Sequence, residues 1–338
     1  MVELTRDRSA RMRAAVLRVV ALGFFLLGVG VPLTLTQEGA PAQADQTLRV
    51  TTNVVNVYAV VKEKKNRPVS DLKREDFELT EDNVPQEIRY FSRETDTPLT
   101  LGILVDTSPS QQRVLGIEQE EAKTFLGQVL RPKDLAFVLQ FDVQVELLHD
   151  FTGSVGLLTR AIDEARINGG GRGPMPGTIP NPDPCCTKLH DAVYLAASEL
   201  LKNEIGRKVV ILLSDGEDRG SKVELKQALE AAQRSDVIVY SIAVIDRAAY
   251  WGQVMGFHGD SVLNKYADDT GGRVIEVRNA RDTSAAFQGI AEELRTQYLL
   301  GYTPSNTQHD GSFRKIRVKV RDRDYKIQAR RGYYAPTK

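Results

Sequence analysis

Cysteine is nearly absent from this sequence: among its 338 residues only Cys185 and Cys186 occur, and they are neighbours. Two cysteines cannot build the disulfide framework that holds many small secreted domains together. Adjacent Cα atoms lie ~3.8 Å apart, below the usual disulfide range of about 4.4–6.8 Å, so a bond between these two would be strained. Free thiols, a strained vicinal disulfide and a bond to another chain all stay open.

An excess of charge of either sign is missing too. Lys and Arg together number 45, as do Asp and Glu, so the formal net charge is zero. Because a protein that binds nucleic acid needs a basic face, we expect no nucleic-acid partner. Glycine and proline are not in excess, as is usual for globular proteins, and the length allows one large domain with a small one, or two modest domains.

Residues 1–44 have the pattern of a secretory signal peptide. Five arginines precede an apolar run that starts at Val19 and continues to about Leu35, and Ala42-Gln43-Ala44 forms a small-x-small cleavage site. This order predicts export, with the mature protein periplasmic or secreted. The alternative is an uncleaved N-terminal anchor, because the apolar run is barely long enough to span a bilayer. Such an anchor would be the protein's only contact with a membrane.

Short β-strands are predicted at both ends of the remaining chain. Residues 47–95 contain β-branched and alternating segments, and in residues 301–338 apolar positions such as Ile316, Val318 and Val320 alternate with basic ones. Neither segment is large enough for a stable sheet of its own. We therefore expect the two ends to join in one discontinuous β-sandwich.

Residues 98–300 change to an alternation of strands and helices. Leu99 to Val105 is an almost continuous apolar run, as expected of a strand buried on both faces. Similar runs and intervening helical patterns follow, namely strands at 136–141, 209–213 and 237–244 and helices at 117–130, 189–201 and 223–234. This alternation predicts an α/β fold with a doubly wound, mainly parallel sheet. Ligands of such folds bind at the carboxyl ends of the strands.

Oxygen-bearing side chains cluster at those predicted strand ends. Asp106, Ser108 and Ser110 follow the first buried strand, Asp215 follows the third, and Thr187 precedes a helix. Each has a purely structural alternative: the aspartates and Thr187 could cap helices, and the serines could bond to the local backbone. That all five should meet at one sheet edge favours a shared ligand instead.

The five positions, in this order and context, resemble the metal-ion-dependent adhesion site of von Willebrand factor A domains. The resemblance implies that Ser108 and Ser110 ligate a cation directly, that Thr187 does so directly or in one conformation, and that Asp106 and Asp215 act directly or through water. Relatives often carry Gly-Gly before the threonine, where this chain has the two cysteines. The flanking segments 67–72, 76–79 and 330–333 resemble the acidobacterial VWFA-related subgroup.

This resemblance implies a function in binding. Mg²⁺ is the expected cation, with Mn²⁺ or Ca²⁺ as alternatives, because all the donors are hard oxygens. Since hydroxyl ligands are neutral, the cation stays electrophilic and can take an acidic residue of a protein partner. We therefore expect an exported protein for adhesion or protein binding. The long loops 168–186 and 246–259 are expected to contribute to the choice of partner.

An enzyme is not expected. A phosphatase with an Asp106 nucleophile would need a second aspartate where Ser108 stands, and Leu213-Ser214-Asp215 is not the G-x-S-x-G elbow of a serine hydrolase. His190, near the site in sequence, is expected to pack or to face solvent. Two alternatives to adhesion stay open: a metal-dependent hydrolase, and a scaffold whose metal only stabilises the fold.

Overall fold

The structure, a computed structural model, describes residues 54–64, 67–93, 97–167, 187–244, 259–321 and 325–337. All of them lie in one compact unit, Thr51–Lys338. The predicted signal peptide and the loop 168–186 lie outside the described residues. None of the described helices is both long and apolar enough to cross a bilayer.

The described residues form fourteen strands and six α-helices. The strands are β1 (Val55–Lys62), β2 (Phe77–Glu81), β3 (Val84–Gln86), β4 (Ile88–Arg93), β5 (Leu99–Asp106), β6 (Leu135–Phe141), β7 (Val145–Thr152), β8 (Arg207–Ser214), β9 (Val237–Val244), β10 (Val274–Val277), β11 (Tyr298–Tyr302), β12 (Phe313–Val320), β13 (Lys326–Ala329) and β14 (Gly332–Tyr334). The helices are α1 (Leu115–Val129), α2 (Val155–Glu164), α3 (Leu189–Leu195), α4 (Leu225–Arg234), α5 (Gly259–Thr270) and α6 (Ala280–Thr296).

A six-stranded sheet in the order β10-β9-β8-β5-β6-β7 forms the centre of the fold. All its strands run parallel except β7, which pairs antiparallel with β6 at one edge. Every residue of β5 and β8 is buried, as their continuous apolar runs predict. The doubly wound, mainly parallel α/β fold expected from the sequence is confirmed.

Helices cover both faces of this sheet. One apolar core lies against α1, α2 and α6, and includes Phe125, Ile162 and Phe287. The other lies against α3, α4 and α5, and includes Val193, Leu229 and Tyr266. Within the sheet, the chain continues from β5 to β6 and β7 on one side of β5, and then to β8, β9 and β10 on the other side of β5. Strand order thus reverses between β5 and β8, and a crevice at their carboxyl ends is the usual ligand position.

Two four-stranded antiparallel sheets complete the unit, in the orders β13-β1-β11-β4 and β14-β12-β2-β3. Each sheet mixes strands from the two ends of the described chain: Val55 of β1 is opposite Tyr302 of β11, and Ile316 of β12 is opposite Glu81 of β2. Side chains from both sheets share a third apolar core. Residues 47–53 of the predicted N-terminal segment lie outside the described residues.

Strand β11 begins before the boundary predicted at residue 301. The only residue between α6 and β11 is Gln297, so the helix leads almost directly into the antiparallel sheet. A buried ion pair joins the two parts here, because Lys62 Nζ on β1 lies 2.7 Å from Glu293 Oε1 on α6. Arg273 Nε reaches the same carboxylate oxygen at 2.5 Å.

Candidate metal centre

The candidate site lies where β5 and β8 end side by side. Asp106 is the last residue of β5 and Ser214 the last of β8, and the two strands pair in parallel up to Val105 opposite Leu213. Both terminal residues are fully buried. The adjacency of these two strands therefore brings the loop after Asp106 next to the loop that starts with Asp215.

The first loop folds back onto its own strand. The backbone N–H of Ser108 donates to Asp106 Oδ1 at 2.9 Å, which turns the chain within two residues. This turn places Ser108 Oγ 3.0 Å from Ser110 Oγ. The Ser110 hydroxyl in turn donates to Asp215 Oδ2 at 2.6 Å. Four of the five residues predicted from the sequence are thus joined in one hydrogen-bonded chain.

The spacing of these oxygens fits a small divalent cation. Ligands at ~2.0–2.1 Å from an octahedral Mg²⁺ lie ~2.9 Å from one another. The distances of 3.0 Å between the two serine hydroxyls and 2.6 Å from Ser110 to Asp215 are close to this octahedral edge. The described residues include no group of three or more His, Cys, Asp or Glu side chains that could hold a metal. Hydroxyl groups make up half of the four joined side chains, so any cation here would be ligated in part by neutral oxygens.

Thr187 is attached to the site through its backbone. Its N–H donates to Arg219 O at 3.0 Å and its carbonyl accepts from Arg219 N at 2.8 Å. Two side chains of that same loop then accept from the first turn of α3: Asp218 Oδ1 from His190 N at 3.0 Å, and Ser221 Oγ from Asp191 N at 3.1 Å. Thr187 is therefore fixed beside the loop that follows Asp215, and its role as a ligand stays a prediction.

Two residues that orient the site were not identified from the sequence. The Ser214 hydroxyl donates to Asp106 Oδ2 at 2.7 Å and accepts from Gly216 N at 3.0 Å. Gln111 Nε2 donates to Asp215 Oδ2 at 2.9 Å. Ser214 stands directly before a predicted site residue, which could have drawn attention to it, but Gln111 carries no sequence signal of this kind.

Gly216 has a specific backbone reason to be glycine. Its φ of +85° lies in the left-handed region, and an added Cβ would lie 2.4 Å from the carbonyl oxygen of Gly259. Only glycine tolerates both the angle and the close approach. The turn after Asp215 can thus pass directly against the start of α5.

Two carboxyl groups at and near the site have raised pKa values. Burial, and then the charge of Asp215, raise the pKa of Asp106 to about 7, although hydrogen bonds from Ser108 and Ser214 act in the opposite direction. Burial also raises the pKa of Glu118 on α1 well above its usual range, followed by the charges of Asp106 and Asp215. Proximity to a cation would reverse this trend, because opposite charge favours the ionised form of a carboxyl group.

His190 packs inside the fold. The residue is 8% exposed, and its Nδ1 lies 3.0 Å from Tyr266 Oη. Burial lowers its pKa, so the imidazole is held neutral. Two loops are expected to influence the choice of partner: all of 168–186, with Cys185 and Cys186, and all of 246–259 except Gly259 lie outside the described residues.

Residues 186–289 match the family model of the von Willebrand factor type A domain. The chain therefore contains a region of this family, and the α/β part described above has the type A fold. Domains of this family are generally interaction modules. None of the curated proteins matches the chain.

Solved structures with a similar fold come from several sources. Proximal thread matrix protein 1 of the mussel byssus is 15% identical with a TM-score of 0.48, and the match covers 64% of this chain and 51% of that one. A second structure of that protein, described as having a zinc-occupied MIDAS motif, is 16% identical with a TM-score of 0.48 and coverages of 64% and 50%. This chain thus spans about half the length of the byssus protein. A von Willebrand factor type A structure from Catenulispora acidiphila is 11% identical, with a TM-score of 0.44 and coverages of 78% and 74%.

Proposed function

We propose that this chain is an exported protein-binding or adhesion protein, and not an enzyme. In this proposal Asp106, Ser108, Ser110, Thr187 and Asp215 hold a divalent cation, with Mg²⁺ preferred over Mn²⁺ or Ca²⁺. The observation that carries the proposal is the hydrogen-bonded chain from Asp106 through both serines to Asp215. The assignment to the acidobacterial VWFA-related subgroup, which rests on the flanking segments alone, is part of the same proposal.

The chain's own residues set up the binding step. Ser108 and Ser110 offer neutral oxygens, and Ser214 and Gln111 hold the two aspartates in place through hydrogen bonds of 2.7 and 2.9 Å. A cation bound to this set would supply an electrophile with a coordination position for an incoming carboxylate. The partner is therefore a protein that presents an acidic residue.

The alternative of a purely structural metal has one observation in its favour. Asp106 and Asp215 are both buried, at 0% and 1% exposed, so a cation would stabilise the fold whether or not a partner binds. An adhesion site and a purely structural metal site predict different effects on partner capture when the charge of the residues that ligate the cation is changed.

The experiment is a paired measurement on Ser110→Asp. Aspartate is a good hard-oxygen ligand, so this variant should keep its affinity for Mg²⁺ in a calorimetric titration. Its extra negative charge should weaken capture of the partner from the cell envelope at saturating Mg²⁺, because the better-neutralised cation attracts a carboxylate less. Wild-type protein with EDTA and Asp106→Ala, which should lose the cation, serve as negative controls.

Ser154→Asp is the matched control for added charge. Ser154 is exposed and directly precedes α2. It follows the end of β7, which lies beside the amino end of β6. Ser154 is therefore at the opposite end of the sheet from the site, which lies at the carboxyl ends of the strands. It should change neither measurement. Full partner capture by a metal-loaded Ser110→Asp variant would rule out the adhesion mechanism, and a wild-type protein that binds no divalent cation would rule out the site.

A further inference from the structure

Glu118 is a buried carboxylate without a hydrogen-bond partner. It lies in the first turn of α1 and is 0% exposed. Within the described part of the chain, neither Oε1 nor Oε2 has a hydrogen-bond partner. Buried carboxylates are normally paired or hydrogen-bonded, because an isolated buried charge is costly. The Glu118 carboxyl group is therefore either protonated or paired with a group that is not part of the described protein.

The candidate metal centre is the place from which such a partner would come. The charges that act on the Glu118 carboxyl group, after burial, are those of Asp106 and Asp215. The helix that carries Glu118 follows the Ser108–Ser110 loop after a few residues, with a short 3₁₀ turn at Pro109–Gln111 between them. A cation bound at the candidate metal centre would therefore change the charge that acts on the Glu118 carboxyl group, as well as the charge around both aspartates.

We propose that Glu118 is an outer-sphere acceptor of the cation site, holding a metal-bound water by hydrogen bonding and so raising the affinity for the cation. The proposal rests on the proposed function, since it requires the cation. Groups that act on a metal through its first ligands or its waters typically change metal affinity by about 10–100-fold when they are mutated. Without the cation, Glu118 has no such benefit and only destabilises the fold.

These two effects have opposite signs, which makes the proposal testable with Glu118→Gln. The amide has almost the same shape but carries no charge. We expect its affinity for Mg²⁺ to fall by about 10–100-fold in a calorimetric titration. In EDTA we expect the same variant to unfold at a temperature equal to or above that of the wild type, because the amide cannot ionise and so never places an unpaired charge in this buried position.

Glu120→Gln is the matched control, because Glu120 is exposed on the same helix and the substitution removes the same charge. It should leave Mg²⁺ affinity unchanged. Glu118→Asp is a second variant, which keeps the charge but withdraws it by one methylene group and should also weaken affinity. Wild-type affinity in both Glu118 variants would overturn the inference.

A loss of affinity in Glu118→Gln that comes with a lower unfolding temperature in EDTA would also overturn it, because that result indicates a structural role. If the wild type itself binds neither Mg²⁺ nor Mn²⁺, it is the proposed function that fails. The two failures are therefore separated by the wild-type titration.

Discussion

At the scale of single residues, Asp106 links the candidate site to the stability of the fold. Its pKa of about 7 lies above its ordinary value of 3.8, mainly because the group is buried and next because Asp215 is near. The folded, cation-free protein thus holds this proton more tightly than the unfolded chain does. The resulting stabilisation is fully present below pH 3.8 and is lost as pH rises through about 7.

The unfolding temperature in EDTA should accordingly fall between about pH 4 and about pH 7. Asp106→Asn should reduce this slope, because the amide cannot ionise while it can still meet Ser108 N and the Ser214 hydroxyl. At the upper pH, saturating Mg²⁺ should raise the unfolding temperature of the wild type back towards its value at the lower pH. It should not raise the unfolding temperature of Asp106→Asn. Identical pH profiles for wild type and variant in EDTA would contradict the assignment of the shift to Asp106.

The sequence predicts part of this site because its spacing is local. Asp106, Ser108 and Ser110 lie in one loop, so their order alone indicates that their side chains can converge. The contribution of Ser214 depends on the pairing of β5 with β8, and that of Glu118 depends on how α1 packs over the sheet. Both are consequences of tertiary structure, which an alternation of apolar residues does not specify.

At the scale of secondary-structure elements, a buried ion pair holds β12 to β2. Arg314 is 2% exposed, and its Nη1 lies 3.4 Å from Glu81 Oε1, also buried. The other oxygen of Glu81 accepts from Tyr302 Oη at 2.7 Å and from Tyr333 Oη at 3.0 Å. One carboxylate therefore connects β2, β11, β12 and β14.

Glu81→Ala should lower the free energy of unfolding by about 3–5 kcal/mol, because it leaves the Arg314 guanidinium buried without its counter-charge. The measurement is urea denaturation in the presence of Mg²⁺. Glu78→Ala on the same strand is the control: its carboxylate is 52% exposed beside Arg321, so the loss should be about 1 kcal/mol or less. Equal losses for the two variants would show that the Glu81 cluster contributes no more than a surface pair.

The elements that the sequence indicates well are those with long, uniform patterns. The buried runs of β5 and β8 and the helix α1 were each expected within two residues of their observed bounds. Strand β7 was not expected, because its residues are mostly half-exposed and lack a clear alternation. The boundary predicted at residue 301 falls inside β11, since only the pairing of this strand with β1 and β4 reveals where it belongs.

At the scale of the whole molecule, the antiparallel part depends on both ends of the described chain. Removing residues 313–338 would take away β12, β13 and β14, of which β13 pairs with β1 and β12 pairs with β2. Apolar residues that are now buried, such as Leu79 at 3% exposed and Val61 at 0%, would then become exposed to solvent. The truncated protein should become sensitive to limited proteolysis between residues 55 and 93.

The α/β part should survive this truncation, because its six-stranded sheet contains none of the deleted strands. Mapping the cleavage sites by mass spectrometry, with a Mg²⁺ titration of the same sample, checks both statements. Protection of residues 55–93 in the truncated protein would contradict a shared antiparallel unit. Loss of Mg²⁺ binding would contradict the independence of the metal centre.

The joining of distant strands also imposes an order on folding. Glu81 and Tyr333, which share a hydrogen bond, are 252 positions apart in the chain, whereas the neighbours of β5 are nearer in sequence. Closing so long a loop costs entropy unless the intervening chain has already become compact. The α/β part should thus fold first and act as a template that brings β1 and β11 into register. During synthesis, β1 and β2 leave the ribosome long before their partners β13 and β12 are made. Their apolar faces therefore stay exposed to solvent until the end of the described chain has been synthesised.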